Sequence, residues 1–258
     1  MTEKNEYTIR QLFAESLAVD AAKLAMQYFD DLDGLKVESK NPRDFVSIAD
    51  RDVEKMIRKR ILEQFPNDNI VGEEGGGNKS DSYWCVDPID GTSNFLSGIP
   101  LWGVSIGYIE DDEPVLGAIC IPLQDILLSA NINEPGFRYN KQFNLKHGTC
   151  QIPTMAMGQN THWNIKSFRE VEDIFIQAGF ECVNYRCSVI GTAFAALGFT
   201  HGYYEKCTNM WDVAAGYIIT QQAGLKSKIT HDKNGEMLTI SIFSDQIDSQ
   251  TAQQISDK

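Results

Sequence analysis

Basic residues are scarce in this chain. Lys and Arg number 23 against 36 Asp and Glu, which leaves a net charge of −13 and a pI of about 4.7. Binding a nucleic-acid backbone calls for a basic face, so direct nucleic-acid binding is not expected. An acidic protein can still hold a phosphorylated small molecule where a bound cation reverses the local sign. Long apolar runs are also missing. None approaches the roughly 18 residues of a membrane span, and the first six residues, Met-Thr-Glu-Lys-Asn-Glu, show no apolar signal region. Cysteine occurs six times, at 85, 120, 150, 182, 187 and 207, without one Cys-x-x-Cys pair. That spacing excludes a structural zinc site and gives no reason to expect a disulfide framework. Cys85 and Cys120 stand in apolar surroundings, as buried free thiols of a reducing cytoplasm would. The four histidines, at 147, 162, 201 and 231, form no ligand-like pattern.

What remains is the composition of a folded protein, 42% hydrophobic and 23% charged in 258 residues. The i, i+3, i+4 spacing of Ile9, Leu12, Phe13, Leu17, Ala21, Leu24, Ala25 and Tyr28 predicts a helix over 8–29. Residues 34–49 read as a loop or flap. Asp50 stands where an N-cap belongs, ahead of a helix over 51–65 that Pro66 closes. Strands are expected at Asn69–Gly72, Tyr83–Val86, Val104–Ile109, Val115–Ile121 and Ile126–Ala130. Three strands in a row argue for antiparallel pairing. The second half reads as a helix over 166–178, a strand at 180–183, a short apolar helix at 191–199, a strand at 202–205 and a helix over 212–223. One further strand, Leu238–Phe243, precedes a polar tail expected to fray.

The densest stretch is Trp84-Cys-Val-Asp-Pro-Ile-Asp-Gly-Thr-Ser-Asn-Phe95. Asp87 and Asp90 flank a proline, and Gly91-Thr92 can open a helix. Two readings are open on these residues. Pro and Gly make an ordinary turn. Equally, paired carboxylates beside helix-start amides suit Mg²⁺ together with a phosphate. Other acids share the placement, each where an apolar segment meets a turn or a helix start. Glu73 and Glu74 follow Ile70-Val71-Gly72, Asp50 follows Val46–Ala49, Glu205 follows Tyr203-Tyr204, and Asp212 follows Trp211. Any one of them reads as a helix cap or a solvated acid. If they converge, they repel one another unless a cation joins them.

Val71-Gly-Glu-Glu74, Trp84–Phe95 and Trp211-Asp-Val-Ala-Ala-Gly216, in this order, resemble the inositol monophosphatase family, Mg²⁺-dependent and commonly Li⁺-sensitive sugar-phosphate phosphatases. Supporting pieces are Val46-Ser-Ile-Ala-Asp50, Val53-Glu-Lys55, Gly103–Gly107, Gly191-Thr-Ala193 and Gly202-Tyr-Tyr-Glu205, so the resemblance runs from about residue 8 to about 225. It implies an α+β fold with αβαβα layers and mostly antiparallel sheets, in two α/β halves. Residues 1–150 would carry most metal ligands; residues 151–258 would carry Asp212 and substrate contacts. It implies a homodimer, Mg²⁺ as cofactor and a small phosphorylated alcohol as substrate. Glu73, Asp87 and the Ile89 carbonyl match the ligands of a first ion, and Asp87, Asp90 and Asp212 those of a second. A third, weaker ion would share Glu73. Thr92, with Asp50 behind it, matches the pair that orients the attacking water, so Thr92, Asp50 and Glu73 take the catalytic roles. Gly91 and Thr92 amides match a phosphate cradle. Asp90, Ala193, Glu205 and Asp212 match substrate contacts.

The chain departs from the family at several points. Ser188 occupies a position where the family often has Arg. Leu96–Gly103 resembles the histidinol-phosphate phosphatase branch, which favours Gly-x-Pro-x-Trp-Gly there. Residues after 225 do not follow the family's end. These departures leave the chemistry intact and open the substrate: inositol monophosphate or a similar polyol phosphate, or histidinol phosphate, fructose bisphosphate or a 3′-phosphonucleotide. A regulatory interaction protein that keeps only the fold is a further alternative.

Overall fold

Helix α1, Glu3–Phe29, opens the chain and buries Leu17, Ala18, Ala21 and Ala25 completely. The computed structural model describes residues 3–32, 37–41, 44–140, 151–235 and 237–256. Where a loop is expected over 34–49, the described residues form a hairpin of β1, Val37–Asn41, and β2, Asp44–Ser47. Helix α2, Ile48–Gln64, follows at once. Its N-cap is Ser47, and Asp50 sits three residues in, closing a capping box on the Ser47 amide at 2.8 Å. The cap expected at Asp50 is thus corrected by one turn: a Ser that looks like part of the strand does the capping, worth about 1 kcal/mol.

Two sheets follow. β3 (Asn69–Gly72), β4 (Ser82–Asp90), β5 (Gly103–Glu110), β6 (Glu113–Ile121), β7 (Ile126–Asn131) and β8 (Arg138–Tyr139) form a six-stranded sheet in that order. Only β3–β4 is parallel; the rest is antiparallel. Between β4 and β5 lies α3, Thr92–Leu96. The second sheet takes β9 (Thr154–Met157), β10 (Glu181–Val183), β11 (Gly202–Thr208), β12 (Lys226–His231) and β13 (Leu238–Phe243) in the order β10-β9-β11-β13-β12. Helices α4 (Ile165–Gln177), α5 (Ser188–Ala196), α6 (Met210–Gln222) and α7 (Ser249–Ser256) complete the fold. The fraying expected of the tail does not describe it: Ile247 and Ile255 are buried against Phe168, Val171 and Phe175. Among the described residues, no helix is long and apolar enough to cross a membrane.

Alternation within each strand sorts side chains into layers. Trp84, Val86, Ile106 and Leu116 face α1 and α2, while Tyr83, Cys85 and Ile109 face α6. Tyr203 and Ile240 of the second sheet meet the same α6, whereas Met155, Tyr204 and Phe243 turn to α4 and α7. The order is helices, sheet, helices, sheet, helices, the αβαβα architecture expected. Helix α6 lies tight on the first sheet. A Cβ built at Gly117 would stand 2.5 Å from the Ala215 Cα. That close seating fixes the start of α6, where Asp212 lies.

Candidate active site

The carboxyl end of β4 is irregular, and its irregularity makes the site. The β4–β5 register shifts between Asp87 and Asp90. Pro88 cannot donate to the ladder; the Ile89 amide turns back to Asp87 Oδ1 at 2.9 Å. Gly91 then takes a left-handed conformation (φ 87°) as the cap of α3. A side chain there would be strained, and its Cβ would also press on Cys187 Sγ at 3.3 Å. The turn and the metal-site reading, alternatives in the sequence, do not compete: the turn aims the carboxylates.

Glu73, just past β3, Asp87 on β4 and Asp212 on α6 each offer a carboxylate oxygen, and the three oxygens lie within 4.8 Å of one another. Asp212 stands three residues into α6 in a capping box with Asn209. Its Oδ2 accepts from the Thr208 hydroxyl at 2.8 Å and the Asn209 amide at 3.0 Å. Asp90 is tied to the start of α5, where its Oδ2 accepts from the Val189 amide and from the Cys187 thiol at 3.3 Å. Thr92 Oγ1 lies 3.2 Å from Asp50 Oδ1 and 3.1 Å from the Ile89 carbonyl, which joins the helix start to α2. Asp50 is itself buried and accepts from Ser47.

Burial pushes the Asp87 carboxyl well above the usual carboxylate range, and the charges of Glu73, Asp90 and Asp212 push it further. Burial likewise raises Asp212 and Asp50. Asp90 is driven up to about 8, first by burial and then by Asp212. Like charges held this close out of water are unfavourable until a cation joins them. The donor set is all oxygen and rich in carboxylate, which fits a hard divalent ion.

Glu205 on β11 is also buried, which raises its pKa. Its Oε2 accepts from the Ser188 hydroxyl at 2.8 Å and the Tyr203 hydroxyl at 2.5 Å, and its Oε1 from the Asn160 amide at 3.0 Å. Sequence reasoning missed Asn160 and Tyr203. Tyr203 had a signal, since it lies two residues from Glu205 on the same strand face; Asn160 had none. Ala193 is placed differently from its expected role. It is wholly buried in the apolar cluster of α5 and α6, so its methyl offers no surface to a substrate.

A sequence model described as the inositol monophosphatase family matches residues 8–243. The chain belongs to the inositol monophosphatase family. The match passes the point near 225 where the resemblance had ended and takes in β12 and β13. The family makes this chain a phosphatase by descent, in a group that is generally metal-dependent. The chain is 38% identical to protein y4fL of Sinorhizobium fredii over 84% of this chain and 78% of that one. It is 29% identical to a fructose-1,6-bisphosphatase/inositol-1-monophosphatase of Aquifex aeolicus, over 82% of each. Its fold matches the extragenic suppressor protein suhB of Bartonella henselae with a TM-score of 0.81 at 25% identity, covering 93% of this chain and 95% of that one.

The raised carboxylates predict how a metal binds. An unfolded chain releases the Asp90 proton near its ordinary value of 3.8, whereas the folded chain keeps it up to about pH 8. Between those values the metal-free folded state holds more protons than the unfolded one, so this group's contribution to stability falls as pH rises. A divalent ion that took Asp90 as a ligand would displace that proton. Calorimetric Mg²⁺ affinity should therefore climb between pH 6 and pH 8, by about tenfold per unit for each proton displaced. An affinity flat across that window would contradict the assignment.

Proposed function

We propose that the chain is a metal-dependent phosphomonoesterase that hydrolyses a small polyol phosphate by direct attack of water. The observation that carries this reading is the convergence of Glu73, Asp87 and Asp212 beside Asp90, carboxylates whose mutual repulsion a bound cation would relieve. Bound Mg²⁺ would supply the charge that acidifies a water and offsets the developing negative charge on the phosphoryl and leaving oxygens. The protein's own part is to position the reactants. Glu73, Asp87 and the Ile89 carbonyl would hold a first ion, and Asp87, Asp90 and Asp212 a second. Thr92 accepts a hydrogen bond from the attacking water while its own hydroxyl donates to Asp50, which sets the direction of attack. The Gly91 and Thr92 amides take phosphate oxygens as α3 begins. Water oxygen bonds to phosphorus, the phosphorus–alkoxide bond breaks opposite it, and the alcohol leaves with a proton derived from that water. No covalent phospho-enzyme is required.

Glu205, oriented by Ser188, Tyr203 and Asn160, accepts from hydroxyls of the alcohol, which favours a polyol over a plain alkyl phosphate. The same reading carries a division of work between residues 1–150 and 151–258, lithium inhibition, a cytoplasmic location and a homodimer. The test is a phosphate-release screen in Mg²⁺ with inositol 1-phosphate, fructose 1,6-bisphosphate, histidinol phosphate and adenosine 3′,5′-bisphosphate. The first is expected to give the highest kcat/KM. A chain that turns over none of them would be an interaction protein on a phosphatase fold.

A further inference from the structure

The segment that carries Glu73 is poorly built to hold a ligand still. It runs Glu73-Glu74-Gly75-Gly76-Gly77, and Gly76 and Gly77 have φ of 58° and 138°. Three consecutive glycines bring the largest backbone entropy of any residue type. Yet Glu73 must meet Asp87 and Asp212 to within a few ångströms.

Helix α2 supplies the restraint. Glu54 is only 2% exposed. Its carboxylate grips the turn's backbone. Oε2 accepts from the Glu74 amide at 2.7 Å and Oε1 from the Gly75 amide at 2.9 Å. Arg58, one helical turn on, completes the grip. Its Nε donates to Glu54 Oε1 at 2.6 Å, its Nη1 to the Ile70 carbonyl at 3.3 Å, and its Nη2 to the Gly76 carbonyl. The fit leaves no slack, since a Cβ at Gly72 would stand 2.6 Å from Glu54 Oε1. A buried carboxylate with its charge matched by Arg and two amides makes charge-assisted bonds, the stronger kind.

We propose that Glu54, with Arg58 behind it, is a positioning residue for the metal centre. It binds the Glu73–Gly77 turn to α2 so that the Glu73 carboxylate stands beside Asp87 and Asp212 before a cation arrives. The inference rests on the metal reading of that cluster given above. Without the grip, metal binding must itself order the turn and bear that conformational entropy. Groups that orient a metal ligand typically carry about 10–100-fold in metal affinity.

The test compares wild type with Glu54→Gln. In metal-free protein, amide hydrogen exchange across residues 72–77 should quicken about tenfold or more, while exchange in α1 and β5 stays as it was. Calorimetry with Mg²⁺ alone should show affinity reduced about 10–100-fold, and kcat at saturating Mg²⁺ should fall far less than affinity does. Unchanged exchange in the turn, or unchanged affinity, overturns the proposal. Exchange that quickens throughout the chain also overturns it, because the role would then be structural only. Should Glu54→Gln not fold, Arg58→Lys carries the same two readouts, with the same directions expected and the same results overturning it. Wild type that binds no Mg²⁺ would refute the metal reading, whereas wild type that binds and a variant that binds equally would refute the grip alone.

Discussion

Asp87→Asn is expected to cost phosphate release at least about 10³-fold, because it removes a carboxylate shared by the metal-binding group and metal ions supply several kcal/mol of transition-state stabilisation. The substitution is close to isosteric. An Asn oxygen still accepts from the Ile89 amide, now at 2.9 Å from Asp87 Oδ1, so the turn survives. What goes is the charge, in a place where burial and three acidic neighbours already oppose it. Two opposite effects should follow in one protein. Metal-free Asp87→Asn should melt above metal-free wild type at pH 8, by about 2–4 °C for each kcal/mol of repulsion removed. Mg²⁺ should then raise its melting temperature far less than it raises that of wild type. Kinetics and thermal melts with and without Mg²⁺ measure both. A variant that keeps its activity, or one that melts lower without metal, would remove Asp87 from the centre.

Much of this site was legible because its geometry is made by local chemistry. Pro88 and Gly91 announce the turn between Asp87 and Asp90. An Asp at the start of an apolar helix marks Asp212, since capping leaves a specific sequence trace. The layers followed from helical and alternating spacing on residues that are now buried, such as Leu17 and Trp84. β4 proved longer than its apolar run because Asp87, Pro88 and Asp90 look like turn residues yet stay in the strand as far as Asp90. β12, Lys-Ser-Lys-Ile-Thr-His, was missed because it is an edge strand with little to bury. Helix α7 was missed because its few apolar residues gain meaning only from α4 beneath them. Glu54 was the hardest to see. In a helix, Glu beside Lys reads as solvated surface, and nothing in the sequence tells that a glycine turn folds back onto it.

The largest effect should come from the metal itself. Four carboxylates, Glu73, Asp87, Asp90 and Asp212, influence one another here, and burial works against the ionisation of three of them. On the proposed mechanism, a site without a divalent ion holds protons where the reaction needs positive charge, and among the described residues neither His nor Cys is arranged to take over as nucleophile. The Cys187 thiol is pushed far up by burial and by Asp90, which keeps it protonated. Stripping the protein should therefore abolish catalysis without unfolding it, since the layers of helices and sheets are joined by buried apolar cores.

The direct measurement is phosphate release from inositol 1-phosphate by protein stripped with EDTA and dialysed, then titrated with Mg²⁺. The account predicts a rate at background in the stripped protein, full recovery on titration, and an unchanged circular-dichroism spectrum throughout. A stripped protein that releases phosphate at the wild-type rate would contradict it.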